Sequence, residues 1–380
     1  MRESPHPPTG AGVKRIAIIG LGAATRNIHL PAYARLGTRV RVVGGSDPDQ
    51  AARLAVSRMG VGETSADAAE LLERVRPDIV CVCSPPELHR AHAELALAAG
   101  CHVFCEKPLA TTLEDADAIV SAAERSGRQV VVNNEFPAMR IHRAAKAQIG
   151  SPEFGRLLYL HAWHTNRPTE HTEAGWRSSM HNRLGLEFGI HVFDLVRYFF
   201  EATPSRVLAH MPQPDASVSW DAITVVAMDF DDGRAASFVL DRLSKGPERY
   251  LDIRLDGERA AMHTSIGGQL QASFGLHARD RRPFADIRVA GGGRAVLEQG
   301  SRSRVLATDG TNPFASATAT HFADFLDAID RGAVAPASVR DNRDSLSLVF
   351  AATRSAEEGR SVDVSASARP AARPATGQAR

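Results

Sequence analysis

Chemistry in this protein would concentrate where an apolar run ends in charged residues. Cys101-His102-Val103-Phe104-Cys105 reads as a short buried strand that leads into Glu106-Lys107-Pro108. Burying an unpaired ammonium is costly, so Lys is rarely set at the end of such a run merely to fill space. Near a ligand cleft, its charge is available to a substrate oxygen and its pKa is open to adjustment. The residues alone leave a second reading, a Lys that simply surfaces where the strand ends. Leu184 to Asp194 forms another candidate group and reads as an amphipathic helix. Glu187, His191 and Asp194 fall at i, i+4 and i+7 and so share one face. A carboxylate one turn from a His can orient the imidazole and raise its pKa. A polar helix face with a salt-bridged His is the alternative.

Gly20-Leu21-Gly22 follows the strand-like Arg15-Ile16-Ala17-Ile18-Ile19 and precedes a helical pattern, the context that a dinucleotide fingerprint requires. Gly20 suits the tight turn and Gly22 the close approach of backbone to a pyrophosphate, with N–H donors at the helix start. The third fingerprint position is Thr25, which slightly compromises close helix–strand packing there. Asp47, at the end of the second strand, suits the adenosine ribose hydroxyls and repels a 2′-phosphate, which favours NAD over NADP. A helix N-cap before Pro48 is its other reading. Ser84-Pro85-Pro86, with His89 just inside the next helix, lies at a strand end where ligands bind in such sheets; a helix-end His with a local hydrogen bond is equally open. Gly189 in a helix interior costs about 1 kcal/mol and implies a close approach, for which a flat nicotinamide ring would qualify.

The elements that must position these residues alternate strictly from Val13 to about Asn134: strands at 15–19, 40–44, 78–83, 102–105 and 129–133, with helices between them. That alternation predicts α/β architecture, an N-terminal Rossmann doubly wound parallel sheet over residues 13–134. From residue 135 to 364 the pattern changes to strand-like runs at 157–165, 206–211, 222–229, 235–240 and 250–255, with hairpin signals at Asp231-Asp232-Gly233 and Asp256-Gly257. This predicts a C-terminal α+β domain with a large open, mainly antiparallel sheet, closed by helices at about 315–331 and 341–358. Residues 267–300 are hard to assign. The tails, 1–12 and 365–380, are rich in Pro, Gly or Ala-Arg-Pro repeats and are expected to be disordered.

At 380 residues with a net charge of +1, the protein has room for two cores and no charge excess to draw nucleic acid or an anionic membrane. The apolar run from Ile16 to Ala24 is too short to span a bilayer, and the expected location is cytoplasmic. Cys81, Cys83, Cys101 and Cys105 all lie in strand-like apolar segments, where buried, reduced thiols are the better reading than zinc ligands. His161 and His164 are three apart in a strand and point to opposite faces, so they make no joint metal site. A metal held by His171, His181 and His191 is a minority reading, and no metal is assigned.

Taken together, these segments resemble the glucose–fructose oxidoreductase/inositol dehydrogenase (Gfo/Idh/MocA) family from Val13 to about Val364. The markers are Gly20-Leu21-Gly22 with His29-Leu30-Pro31, Ser84-Pro85-Pro86 with His89, Ala99-Gly100-Cys101-His102-Val103 before Glu106-Lys107-Pro108, Trp176-Arg177, Glu187-Phe188-Gly189-Ile190-His191 with Asp194, and Ser355-Ala356-Glu357-Glu358-Gly359. The resemblance implies an NAD cofactor lying across the first domain with its nicotinamide facing the second. It implies cofactor contacts from Gly20, Gly22, Ala23, Ala24, Thr25, Asp47, Ser84, Pro85, His89, Glu106, Lys107, Asn134, Trp176 and Arg177. It also implies Lys107 as the active-site lysine, His191 as general acid/base, and Glu187 where the family typically has Asp; Lys107, Glu187, His191 and Asp194 would meet substrate. A homo-oligomer built through the open sheet is a further implication.

Two classes of function follow. One is an NAD-dependent dehydrogenase oxidising a secondary alcohol of a sugar, inositol or related polyol, with a redox-neutral variant that uses transient oxidation for elimination or glycoside cleavage. The other is a catalytically silent NAD-binding regulator, which should have lost the Lys or the His; this protein keeps both.

Overall fold

The computed structural model describes residues 12–166, 176–177, 180, 182–214, 221–245, 249–267, 269–276, 283–290, 292–310 and 312–364. Apart from Gly12, the two tails expected to be disordered lie outside the described residues. The protein divides into two compact units: Met1–Glu106, Ala118–Asn133 and Thr318–Val339 form the first; Lys107–Asp117, Asn134–Ala317 and Arg340–Arg380 form the second.

In the first unit, β1 (Lys14–Ile19), β2 (Val40–Ser46), β3 (Glu63–Ser65), β4 (Ile79–Val82), β5 (His102–Glu106) and β6 (Val130–Asn133) form one parallel sheet ordered β3-β2-β1-β4-β5-β6. Apolar side chains run without interruption through Ile79–Val82 and Val130–Val132, as expected of strands covered on both faces. Helices α1 (Leu30–Arg35), α2 (Gln50–Ser57), α3 (Ala68–Val75) and α4 (His89–Ala98) make the crossovers, and α5 (Leu113–Ser126) leads to β6. Strand order reverses between β1 and β4, which defines the switch point.

The contiguous boundary at residue 134 does not match the units. The segment Thr318–Val339 joins the first unit, and Lys107–Asp117 joins the second. The reason lies in the core. Phe322, Phe325 and Leu326 are fully buried with Ile16, Ile79, Cys81 and Phe104, and the Phe322 ring packs edge-on against Phe104 at 4.8 Å and Tyr33 at 5.0 Å.

The second unit centres on a nine-stranded sheet. Its strands are β7 (Leu157–Thr165), β8 (Arg206–His210), β9 (Ile223–Asp229), β10 (Ala235–Asp241), β11 (Arg249–Gly257), β12 (Ala261–Gly267), β15 (Gly293–Gln299), β16 (Arg302–Asp309) and β17 (Val362–Asp363), ordered β16-β15-β12-β11-β7-β10-β9-β8-β17. Among the described residues, only the β7–β10 pair of this sheet is parallel. The stretch 267–300, which local pattern leaves unassigned, contributes β15 and a separate hairpin of β13 (Gln269–Leu276) and β14 (Pro283–Ala290). Strands β9 and β10 alternate more and less buried residues, so one face is covered and the other open. Helices α6 (Arg140–Lys146), α7 (Ile190–Phe200), α8 (Pro313–Arg331) and α9 (Val339–Glu358) complete the described elements. Phe193 of α7 meets Phe238 of β10 edge-on at 4.9 Å on the covered face. Among the described residues, no helix is long and apolar enough to cross a membrane.

Phe322→Ala should destabilise the first unit by about 3–5 kcal/mol through the cavity it leaves. Denaturant unfolding of the full-length protein measures this. A near-neutral result would show that the segment after Ala317 is not part of that core.

Candidate active site

At the switch point, Gly20 has φ +93, and a β-carbon there would sit 2.5 Å from both the carbonyl carbon of Cys83 and the amide nitrogen of Ser84. The ends of β1 and β4 therefore touch, and nothing larger than hydrogen fits between them. Gly22 differs: nothing lies within 4 Å of where its β-carbon would be. Open space above the loop is what a pyrophosphate needs, so the residues fit the dinucleotide. Ala23 and Ala24 open the following helix, and Arg26 N donates to Gly22 O at 3.2 Å. Thr25 does not compromise packing as expected. It is fully buried, and its hydroxyl donates to Gly20 O at 2.6 Å.

Asp47 accepts from Leu21 N at 2.8 Å and from Asp49 N at 2.9 Å, which fixes its carboxylate beside the glycine loop. Its alternative role as a helix cap falls instead to Asp49, which accepts from Ala51 N at 2.8 Å. His89 is fully buried, and its Nε2 donates to Ser84 O at 2.9 Å, so it braces the Ser84-Pro85 turn from within. His92, which no motif singles out, meets the Ser84 hydroxyl at 2.8 Å. A cavity of about 730 Å³ lined by Arg15, Tyr33, Val40, Arg41 and Arg74 opens instead where the parallel strands begin. Nucleotides bind at the carboxyl ends of such strands, so this cavity is not the nucleotide crevice.

In the second unit, Lys107 Nζ donates to the backbone carbonyl of Glu187 at 2.8 Å. That carbonyl lies in a π-helical turn, Leu184–Gly189, whose wider winding loosens the usual ladder. Glu187 has both carboxylate oxygens engaged: Arg177 Nε donates to Oε1 at 2.5 Å, and Arg183 Nε donates to Oε2 at 2.8 Å. Burial opposes its ionisation, yet Lys107 and the two arginines hold its pKa below the usual carboxylate range. The Arg177 guanidinium also lies over the Trp176 ring, 4.2 Å from its centroid.

His191 stacks face-to-face on Phe136 with centroids 4.0 Å apart, and its buried Nδ1 has no hydrogen-bond partner among the described residues. Helical spacing beside Glu187 predicts a raised pKa; the structure gives the reverse. Burial first, then the charge of Lys107 and the nearness of His164, push it well below its ordinary value. Among the described residues, no hydrogen bond joins His191 to Glu187 or Asp194. Asp194 accepts instead from the Ser345 hydroxyl of α9 at 2.7 Å, and burial pushes its pKa up to about 6. Gly189 is small for another reason than a nicotinamide: a β-carbon there would meet the Leu240 side chain of β10 at 2.9 Å. Asn134 is buried, with its Nδ2 at 3.5 Å from Ile190 O.

His164, which the sequence offers only as half of a rejected metal pair, is fully buried, and neither ring nitrogen has a hydrogen-bond partner among the described residues. It lies 4.7 Å from the Tyr250 ring and 5.6 Å from Phe188, and burial, Lys107 and Arg242 depress its pKa to about 3. The signal for it is the period of two along β7, which puts Leu160, Ala162 and His164 at the inward positions. His161 is exposed on the other face, as expected. His171 and His181 lie outside the described residues. Among the described residues, no group of three or more His, Cys, Asp or Glu could hold a metal ion.

Residues 14–134 match the oxidoreductase family with an NAD-binding Rossmann fold, and residues 142–263 match the GFO/IDH/MocA C-terminal domain. The protein belongs to the Gfo/Idh/MocA family of NAD-dependent oxidoreductases. It is 26% identical to D-apiose dehydrogenase of Paraburkholderia graminis over 94% of this protein and 92% of that one. Inositol 2-dehydrogenase of Pseudomonas savastanoi pv. phaseolicola is 33% identical over 53% of this protein and 62% of its own length. In fold it is similar to an Agrobacterium radiobacter oxidoreductase solved with NAD+, L-tartaric acid and magnesium, with TM-score 0.79, 20% identity, and coverage of 93% of this protein and 99% of that one.

The glycines and the histidines each make a measurable difference. Gly20→Ala should lower thermal stability, because φ and backbone both exclude a side chain, whereas Gly22→Ala should leave stability unchanged and weaken NAD binding by calorimetry. Equal stability losses would refute the contrast. His142, fully buried, also has a pKa depressed to about 4. With His164 and His191 it stays neutral in the folded state while the unfolded protein takes up protons below about pH 6.5. Stability should therefore fall as pH drops from about 6.5 to 5, by about 1.4 kcal/mol per pH unit per net proton, and uptake by folded Asp194 near 6 offsets one of the three. His142→Gln should flatten that slope in denaturant titrations; an unchanged slope would show that these histidines are not the cause.

Proposed function

We propose that this protein oxidises a secondary alcohol of a sugar, inositol or related polyol, using NAD. One observation carries the reading: His191 is buried against Phe136, and burial together with the charge of Lys107 pushes its pKa well below the ordinary value. A neutral imidazole in a positive neighbourhood is a base that can take a hydroxyl proton at neutral pH. Lys107 stabilises the charge that develops on the same oxygen. NAD, held by Gly20, Gly22 and Asp47, would supply the hydride acceptor that turns a secondary alcohol into a ketone, and His191 would hold the hydroxyl proton. Glu187 has its oxygens committed to Arg177 and Arg183, so it serves by fixing those arginines and the turn that receives Lys107. Asp194, tied to Ser345, steadies α7 beneath His191. Asp47 selects NAD through the ribose hydroxyls. The relatives that act on apiose and inositol support a polyol substrate.

The open face of the second sheet supports a homo-oligomer. Trp163, Val239 and Val225 lie side by side across β7, β10 and β9, and both Trp163 and Val225 are exposed. A second copy of the protein would cover this stripe. Trp163→Glu should then lower the mass found by light scattering, and an unchanged mass would refute the use of this face.

The catalytic test is NADH absorbance with NAD+, and separately NADP+, across inositols, aldoses, uronates and glycosides. His191→Ala and Lys107→Ala should each lower kcat by about 10²-fold or more with NAD affinity unchanged. Wild-type turnover in either variant would overturn the assignment. Tight NAD binding with no NADH from any polyol would favour redox-neutral chemistry or a silent regulator.

A further inference from the structure

His29-Leu30-Pro31 stands out in the sequence and Glu106 enters it only as an implied cofactor contact; the proposed reaction gives neither a role. In the first unit they meet. A π-helical turn, Thr25–His29, follows the glycine loop and turns the fully buried His29 inward. His29 Nε2 donates to Glu106 Oε1 at 2.6 Å, and Asn133 Nδ2 donates to the same oxygen at 2.8 Å. Asn133 Nδ2 also reaches the Thr318 hydroxyl at 3.2 Å. On its other side, His29 Nδ1 donates to the Tyr33 hydroxyl at 2.9 Å, which in turn lies 2.7 Å from Cys81 Sγ. Burial opposes a charge on His29, but neighbouring Cys83 and Glu106 outweigh it and raise its pKa to about 10.

Such a pair is a poor source of stability. Desolvating two charges costs several kcal/mol, and apolar replacements of buried pairs are often neutral or stabilising. What the pair does supply is a fixed geometry, and its position says for what. Glu106 is the last residue of β5, and one peptide bond joins it to Lys107. A π-turn is itself an irregularity found often at functional sites, and here it is what aims the imidazole.

We propose that His29 is a positioning residue for the reaction: with Asn133 it pins the Glu106 carboxylate, and so fixes the strand end from which Lys107 departs. The inference rests on the reading of Lys107 as the residue that stabilises the substrate oxygen. His29 touches neither substrate nor the reacting atoms; it acts through Glu106.

The test measures kcat with the best polyol and NAD affinity by calorimetry, on the full-length protein. His29→Ala should lower kcat by about 10- to 100-fold, the usual cost of a reacting group misplaced by about an ångström, with NAD affinity within about threefold of wild type. His29→Gln keeps an N–H that can reach Glu106 and should recover a substantial part of that loss. Glu106→Gln keeps the shape and removes the charge; it should lower kcat like His29→Ala, and it decides the matter if His29→Ala does not fold. Wild-type kcat in His29→Ala or Glu106→Gln, with only a lower melting temperature, would overturn the proposal and leave a merely structural pair. Lys107→Ala is measured in parallel. If it turns over normally, the reading of Lys107 itself has failed; if it is impaired while the His29 and Glu106 variants are normal, only the positioning role has.

Discussion

The charge of a half-buried lysine acts on two fully buried imidazoles in the second unit. Lys107 is held on the carbonyl of Glu187, and its charge helps depress the pKa of both His164 and His191. Protonating either imidazole would add a second cation with little water to screen it. Both imidazoles are thereby kept unprotonated at neutral pH. The carboxylate that would have undone this, Glu187, is drawn away by Arg177 and Arg183. A shorter Asp at that position would reach less far toward the arginines. The second methylene of Glu187 brings its carboxylate to both arginines and keeps the negative charge off the imidazole.

Each unit carries a π-turn. In the first, Thr25–His29 brings His29 to Glu106; in the second, Leu184–Gly189 lies against Lys107. Such turns open the regular ladder and cost stability that the surrounding packing must offset. The packing is present in each case. Thr25 is buried against the glycine loop, and Gly185 and Gly189 allow Val349 and Leu240 to approach the second turn closely. Local irregularity and tight support occur together, as expected where a side chain must be aimed rather than merely accommodated.

Much of this was legible in the residues. Uninterrupted apolar runs between helical patterns indicated the parallel sheet, because such runs stay out of water only in strands covered on both faces. Gly20 and Gly22 in a strand–loop–helix context indicated the dinucleotide loop. Strand-like runs and the hairpin signals at Asp231-Asp232-Gly233 and Asp256-Gly257 marked the strands from β7 to β11. The short β3, the strands β12 and β15, the β13–β14 pair and the edge strands β16 and β17 escaped; β3 and β17 are too short to show a period, and residues 267–300 are too rich in Gly and Arg to show one.

By itself, then, the amino-acid order determined the elements, their succession and the residue types available for chemistry, because these depend on local period and on backbone freedom at glycine. Only the tertiary structure decided partnerships. Asp194 pairs with Ser345, and Glu187 with two arginines, though helical spacing had set both beside His191. The sign of the His191 shift also reversed, because desolvation and a lysine 84 positions earlier outweigh a carboxylate one turn away. Phe322 and Phe325 fill the core beneath Phe104 from more than 200 residues away. Burial and long-range charge are sums over neighbours that the fold alone assembles, and no local pattern contains them.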